Sequence, residues 1–308
     1  MTNIKKIGLT ALAGSLVATS AFAGALDVTG AAKLTYVSQH ESETTGNPFS
    51  MNKGITFAGS GDLDNGMSIA YGYTMSDAAF SSSTLKLDMG DMGVASFASE
   101  SGLTGISAYD DKMPTAGEEV WDDMDGQANG VATIEDAGTL GYSNSYGIFG
   151  VSLSYNPDAG VTTSESSQSV VLTVAPTDGI SFFIGSGDKA GAQSSSTDVS
   201  TMGITYTTGP ITLGTQTTTI DSSTSGSDVD RRAAAVSFAV NENMSVSYGM
   251  SIVDFESASK VDQEDSGFAV SYTMGSMTVA AFANASDNAG GTTGSDDTVK
   301  EISVAFAF

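Results

Sequence analysis

The chain has 308 residues, 11 lysines and arginines against 36 aspartates and glutamates, a formal net charge of −25, 36 glycines and no cysteine. So acidic a chain is unsuited to nucleic acid or to an anionic membrane surface as a partner, and without cysteine it has no disulfides, thiolate metal sites or thiol chemistry. Its aromatic content and alternating Val, Ile, Tyr and Phe set it apart from the charged, weakly hydrophobic sequences that stay disordered.

The amino terminus reads as an export leader. Met1 to Lys6 is a short basic start, Ile7 to Ser20 is apolar or small, and Ala21-Phe22-Ala23 fits the small-x-small cleavage pattern. This predicts a signal peptide over residues 1–23 and a mature chain, 24–308, beginning near Gly24. The competing reading, a membrane anchor, suffers because the apolar run is shorter than the roughly 20 residues a spanning helix needs. No later stretch approaches that length, which excludes a helical membrane protein. Without Lys5 and Lys6, nine cations face 36 carboxylates, a net charge of −27.

From there the chain alternates in period two between turn residues, which predicts sixteen strands. They lie near 26–39, 50–63, 66–76, 83–90, 93–99, 137–145, 147–156 and 168–176. The second eight lie near 179–187, 198–208, 210–220, 230–240, 243–254, 266–274, 276–286 and 297–308. Tight turns follow the even strands, at Asp64-Asn65, Asp91-Met92, Tyr146, Thr177-Asp178, Gly209, Asn241-Glu242 and Gly275. Longer polar loops follow the odd strands: 40–49, 77–82, 100–136, 157–167, 188–197, 221–229, 255–265 and 287–296. Short connections on one side and long ones on the other are how an outer-membrane β-barrel is strung. Ile69, Tyr71, Tyr73 and Met75 alternate with Ala70, Gly72 and Thr74, and Met244 to Ile252 repeats the pattern with serine and glycine. An inner face so poor in large apolar groups lines water better than it fills a soluble core.

Residues 100–136 break the alternation. They hold ten carboxylates against one cation, Lys112, and contain the only tryptophan, Trp121. Connections longer than about 12 to 15 residues are usually functional or disordered, and this one is read as folding inward to narrow the lumen.

The last strand, Asp297 to Phe308, puts Ile302, Val304, Phe306 and Phe308 on one face and ends the chain on the aromatic. With the leader, the absent cysteine and the sorted loops, it resembles the terminal strand of Gram-negative general porins, including those of alphaproteobacterial type. The resemblance implies an all-β, sixteen-stranded transmembrane barrel in outer-membrane lipid, usually a homotrimer, with the third outside loop folded into the lumen. It also implies that Phe308, with Phe306, is the signal read by the barrel-assembly machinery.

In such proteins inward-loop carboxylates face basic residues on the wall. The acids here are Asp110, Asp111, Glu118, Glu119, Asp122, Asp123 and Asp125, with the solvated outer loop as the bland alternative. Strand parity gives Lys33, Lys86 and Arg231 as lumen cations, while Lys53 falls at a rim; a dense arginine cluster is missing. Asp122, Asp123 and Asp125, beside Gly126, gather oxygen ligands of the kind calcium prefers, without full helix-flanked loop spacing. Catalysis finds little support: the one histidine, His40, sits beside Glu41 with no nucleophile pattern. The expectation is a passive channel for small polar solutes and ions, preferring cations. The rivals are a secreted or surface β-rich adhesin, which would show a fixed internal period, and a substrate-specific channel, which would need an aromatic track or a basic ladder.

Overall fold

A computed structural model describes residues 26–39, 46–77, 79–100, 104–110, 112–126, 130–131, 134–135, 137–157, 166–190 and 196–308. The expected leader, His40 and Asp111 lie outside the described residues. The first eight strands are β1 (Asp27–Ser38), β2 (Phe49–Asp62), β3 (Ser68–Ser76), β4 (Ala79–Asp88), β5 (Val94–Ala98), β6 (Thr139–Tyr146), β7 (Phe149–Asn156) and β8 (Ser167–Thr177). The others are β9 (Ile180–Lys189), β10 (Thr197–Thr208), β11 (Ile211–Ser222), β12 (Val229–Ala239), β13 (Met244–Phe255), β14 (Gln263–Met274), β15 (Met277–Asp287) and β16 (Asp297–Ala307).

Every strand pairs antiparallel with its sequence neighbours, and β1 pairs with β16, so the sheet is a closed sixteen-stranded barrel. Closure satisfies the backbone groups that hydrocarbon would leave unpaired. At the seam the Phe308 N–H donates to the Gly30 carbonyl (2.8 Å) and the Gly30 N–H to the Phe308 carbonyl (3.1 Å). Gly209 and Gly275 open two of the tight turns at φ of +55° and +61°, as primed hairpin turns require.

One connection differs from the expected sorting. β3 ends at Ser76 and β4 begins at Ala79, so the second outside connection is as short as a turn. Ala79 and Phe80 join the ladder beyond a bulge at Thr74/Met75, and Asp77 takes a left-handed φ of +55° that closes the bend.

The alternation sorts the faces as expected over most of the wall. Leu34, Met51, Tyr71, Leu85, Ile184, Met202, Tyr248 and Ile302 point outward and are exposed. On β2 to β5 the inner face is small and polar: Thr56 and Thr74 share a hydrogen bond across the strands (3.0 Å), and Thr84, Lys86 and Ser96 follow in phase. Elsewhere the inner face departs from this rule. Val171, Phe183, Val199 and Ile220 project inward from β8 to β11 and pack around Ile106, Val131 and Ile134 of the long third loop. Met113, Val120 and Trp121 bury themselves against Ala233, while Ala116 and Met124 meet Ala269, Phe282 and Val299. Burying a Val, Ile or Phe side chain stabilises by roughly 1.5–3 kcal/mol. The loop between β5 and β6 is therefore held in the lumen by apolar patches that the rest of the inner wall lacks.

Candidate functional site

The third loop enters the barrel after β5 through Gly105. Its φ of +68° and the nearness of Ser154 and Ser169 leave no room for a Cβ. The chain then makes a 3-10 turn, Ile106–Tyr109, whose start is held by the wall: the Gly105 N–H donates to Ser152 Oγ (2.9 Å) and the Ile106 N–H to Ser169 Oγ (2.8 Å). On the returning limb Glu135, itself buried, takes hydrogen bonds from Ser107, Ser154 (2.6 Å) and Ser169 (3.3 Å). The two limbs are tied to each other where the Val131 N–H meets the Asp110 carbonyl (3.0 Å) and Asp110 Oδ1 (2.7 Å).

Farther round the wall six strands lend a polar group. Gln216 of β11 accepts from the Lys112 N–H (2.9 Å) and donates to the Tyr109 (2.9 Å) and Asp110 (3.0 Å) carbonyls. Arg231 of β12 donates to the Gly130 carbonyl (3.1 Å) and lies within electrostatic reach of Asp110. Ser247 of β13 accepts from Ala116 N–H (2.9 Å), and Asn284 of β15 donates to the Glu119 carbonyl (2.9 Å). Asp297 of β16 accepts from the Asp125 N–H (2.8 Å). Lys33 of β1 bridges Glu118 (2.9 Å) and Glu301 (3.0 Å). These ties run from β7 round to β1.

The acids of the loop separate into two groups. Glu118, Glu119 and Asp122 are half-buried, and one carboxylate oxygen of each lies within 4.8 Å of the others. Burial raises the pKa of Asp122; the Glu118 charge adds to the rise, and hydrogen bonds from Glu119 oppose it. Burial likewise raises the phenol pKa of Tyr109, whose ring meets that of Phe183 at a tilt (5.3 Å between centroids) and lies beneath the Lys112 ammonium (5.2 Å). Asp110, Asp123 and Asp125 are exposed. The oxygen group that comes together thus contains Asp122 but neither Asp123 nor Asp125. Asp123 takes a left-handed φ of +59°, and Asp125 meets Asp297 through its backbone. Lys33 stands beside the converging trio and supplies positive charge there.

Of the wall cations expected from parity, Lys33 and Arg231 face inward against the loop, while Lys86 is exposed on the inner face between Ala70 and Ser96 in register. Lys53 pairs with Asp77 at the rim (3.0 Å), both side chains half-exposed. The reading from sequence missed Glu301, Asp297, Gln216, Asn284 and the serines that seat Glu135. The apolar docking patches left one trace: Val170-Val171 and Phe182-Phe183 are apolar on both parities, where a water-lined strand should be apolar on one.

A profile described as Gram-negative porin matches residues 8–308. Among solved structures the chain is similar to a loop-deletion form of OmpT, an outer membrane protein of Vibrio cholerae, at a TM-score of 0.71 and 12% identity over 92% of this chain and 99% of that one. It is similar to an anion-selective porin from Comamonas acidovorans at a TM-score of 0.68 and 15% identity over 92% and 99%. A mutant of Rh. blastica porin matches at 0.67 and 15% over 92% and 100%. At such identities the likeness is one of fold. None of the curated proteins matches in sequence.

Proposed function

Because the chain belongs to the Gram-negative porin family, we propose that its barrel passes small polar solutes and ions passively with a preference for cations, the charge filter being its third loop. Family and fold make it a porin-type diffusion channel of the outer membrane and not an enzyme. The finer reading rests on one observation: Glu118, Glu119 and Asp122 converge within 4.8 Å, with Lys33 as the ion-pair partner of Glu118. The passage runs between this loop and the β2–β5 wall, where hydroxyls and Lys86 line the water. A lumen walled by low dielectric focuses such charge and concentrates counter-ions. The Comamonas acidovorans porin is anion-selective on a similar barrel, so the sign of the filter follows from the side chains and not from the fold.

The same reading has residues 1–23 removed on export, three copies assembling in outer-membrane lipid, and Phe308 with Phe306 engaging the barrel-assembly machinery. Phe308 is 78% exposed, which leaves its ring free for recognition. Deleting it should lower the amount of barrel in the outer membrane without reducing export across the inner membrane.

Selectivity is tested by the reversal potential of the purified channel across a KCl gradient. The wild type should prefer potassium, and Glu118→Gln, Glu119→Gln and Asp122→Asn together should abolish most of that preference. The wild-type preference should also fade toward 1 M salt, where the Debye length falls to about 3 Å. Anion preference in the wild type, or an unchanged potential in the variant, would refute the filter.

A further inference from the structure

Near the outer end of the barrel, Asp265, Ser286 and Asp297 lie side by side on β14, β15 and β16; the register pairs Asp265 with Ser286 and Ser286 with Asp297. All three project inward and are covered, with exposures of 2%, 1% and 3%. The cover is made by two loops. Gly126 of the third loop sits so close to Gln263 and Gly290 that no Cβ would fit, and the Gly290 N–H, from the loop between β15 and β16, donates to Gln263 Oε1 (2.9 Å).

The polar partners inside this enclosure are few. Asp265 accepts from Ser251 Oγ (2.7 Å) and from Gln263 Nε2 (3.0 and 3.1 Å). Asp297 accepts at Oδ2 from the Asp125 N–H. Asp297 Oδ1 has no hydrogen bond, and Ser286 Oγ, which faces Asp265, has none of ordinary geometry. No lysine or arginine pairs with either aspartate among the described residues. Asp297 contrasts with the other buried carboxylates: Glu301, on the same strand, has Lys33, and Glu135 and Asp265 each accept at both oxygens. A buried carboxylate oxygen with neither a counter-charge nor a donor is costly; Asp297 Oδ1 is such an oxygen, and Asp265, two strands away, has donors but no counter-charge.

We propose that Asp265, Ser286 and Asp297 form a binding site for one hard divalent cation of the calcium class, which fastens the third and last outside loops to the wall. Strands are spaced about 4.8 Å apart, so Asp265 and Asp297 stand roughly 9.6 Å apart along the sheet. Two aspartate side chains and one ion with metal–oxygen bonds of about 2.4 Å span that distance. The available groups are all oxygens, and calcium tolerates the irregular set that carboxylates, a hydroxyl and water provide, where magnesium demands a near-ideal octahedron. The site differs from the exposed acids of the third loop, whose only contribution is the Asp125 backbone N–H, and it stands whether or not that loop sets selectivity.

The test uses the full barrel in detergent, stripped with EDTA and titrated with calcium chloride, read by calorimetry and by thermal unfolding. The wild type should bind one calcium more tightly than any other and unfold at higher temperature once loaded. Asp297→Asn should remove that equivalent together with its thermal shift. The milder Ser286→Ala, which leaves both carboxylates, should weaken it about tenfold and so reports even if Asp297→Asn folds poorly. The variant neutralised at Glu118, Glu119 and Asp122 should keep the tight equivalent. Loss of the equivalent in that variant, its survival unchanged in both Asp297→Asn and Ser286→Ala, or the absence of any calcium-dependent shift in the wild type would overturn the proposal.

Discussion

The two sides of the inner wall solve different problems. From β2 to β5 the wall faces the lumen with Thr56, Thr74, Thr84, Ser96 and Lys86, of which Thr56 and Thr74 bond each other across the strands and the others are left to water. From β7 round to β1 the wall has something to hold: apolar islands at Val171, Phe183, Val199 and Phe282, and among them polar groups of β7, β8, β11, β12, β13, β15 and β16 bonded to the backbone of the third loop. A pore needs both. If the loop were bound all round it would close the barrel, and if it were bound nowhere its carboxylates would have no fixed place in the current.

The strongest test of the bound side is Glu135. Changing it to alanine removes the acceptor for three hydroxyls and leaves a void, and should cost about 2–4 kcal/mol of loop docking. Local opening then exposes the segment. Limited proteolysis should cut within 104–135 in the variant while the wild type resists, and equal resistance would show that this contact does not seat the loop.

Much of this organisation was legible in the sequence. Period-two alternation located all sixteen strands because each has one face in hydrocarbon and one toward the lumen, and the failure of alternation marked residues 100–136. What stayed hidden is which groups the loop meets. Ser154, Ser169, Gln216 and Ser247 look like ordinary lumen lining until a backbone is brought against them. The acids told the same story: spacing in an irregular loop does not reveal which carboxylates converge, so Asp122 was grouped with Asp123 and Asp125 where the fold groups it with Glu118 and Glu119. The sequence places the second outside loop over 77–82, since Ser81 and Ser82 look like loop residues and not like part of β4, which begins at Ala79.

A smaller effect is expected at Arg231. Its replacement by methionine keeps much of the stem but loses the bond to the Gly130 carbonyl, at about 1–3 kcal/mol. It also removes a wall cation beside Asp110. Unfolding in denaturant should shift to lower concentration and potassium preference should rise slightly; a fall in preference would contradict the placement of Arg231 against the loop.

Asp122 sharpens the comparison through pH. Its folded pKa lies above the ordinary carboxylate value, so between those two values the folded state holds more proton than the unfolded one. The contribution of Asp122 to stability is therefore greatest below that window and is lost as pH rises through it. Selectivity moves with the charge: as pH falls, potassium preference should begin to drop above the ordinary carboxylate range. Reversal potentials measured against pH should show this early step in the wild type and not in Asp122→Asn.

The smallest effect belongs to the rim, outside both walls. Lys53 and Asp77 pair at 3.0 Å with half-exposed side chains, and such pairs contribute about 0–1 kcal/mol. Lys53→Met should leave thermal unfolding and selectivity within error of wild type, and a marked change in either would mean the rim takes part in the filter.

The division into a bound wall and a free wall is tested most directly by chemical access from the pore. The chain has no cysteine, so a single one reports without background. A charged methanethiosulfonate reagent added to one open channel should reduce the current stepwise in Thr84→Cys, on the free wall. It should leave Val199→Cys, covered by the loop at 2% exposure, unmodified. Rapid block of Val199→Cys, or silence of Thr84→Cys, would contradict the account.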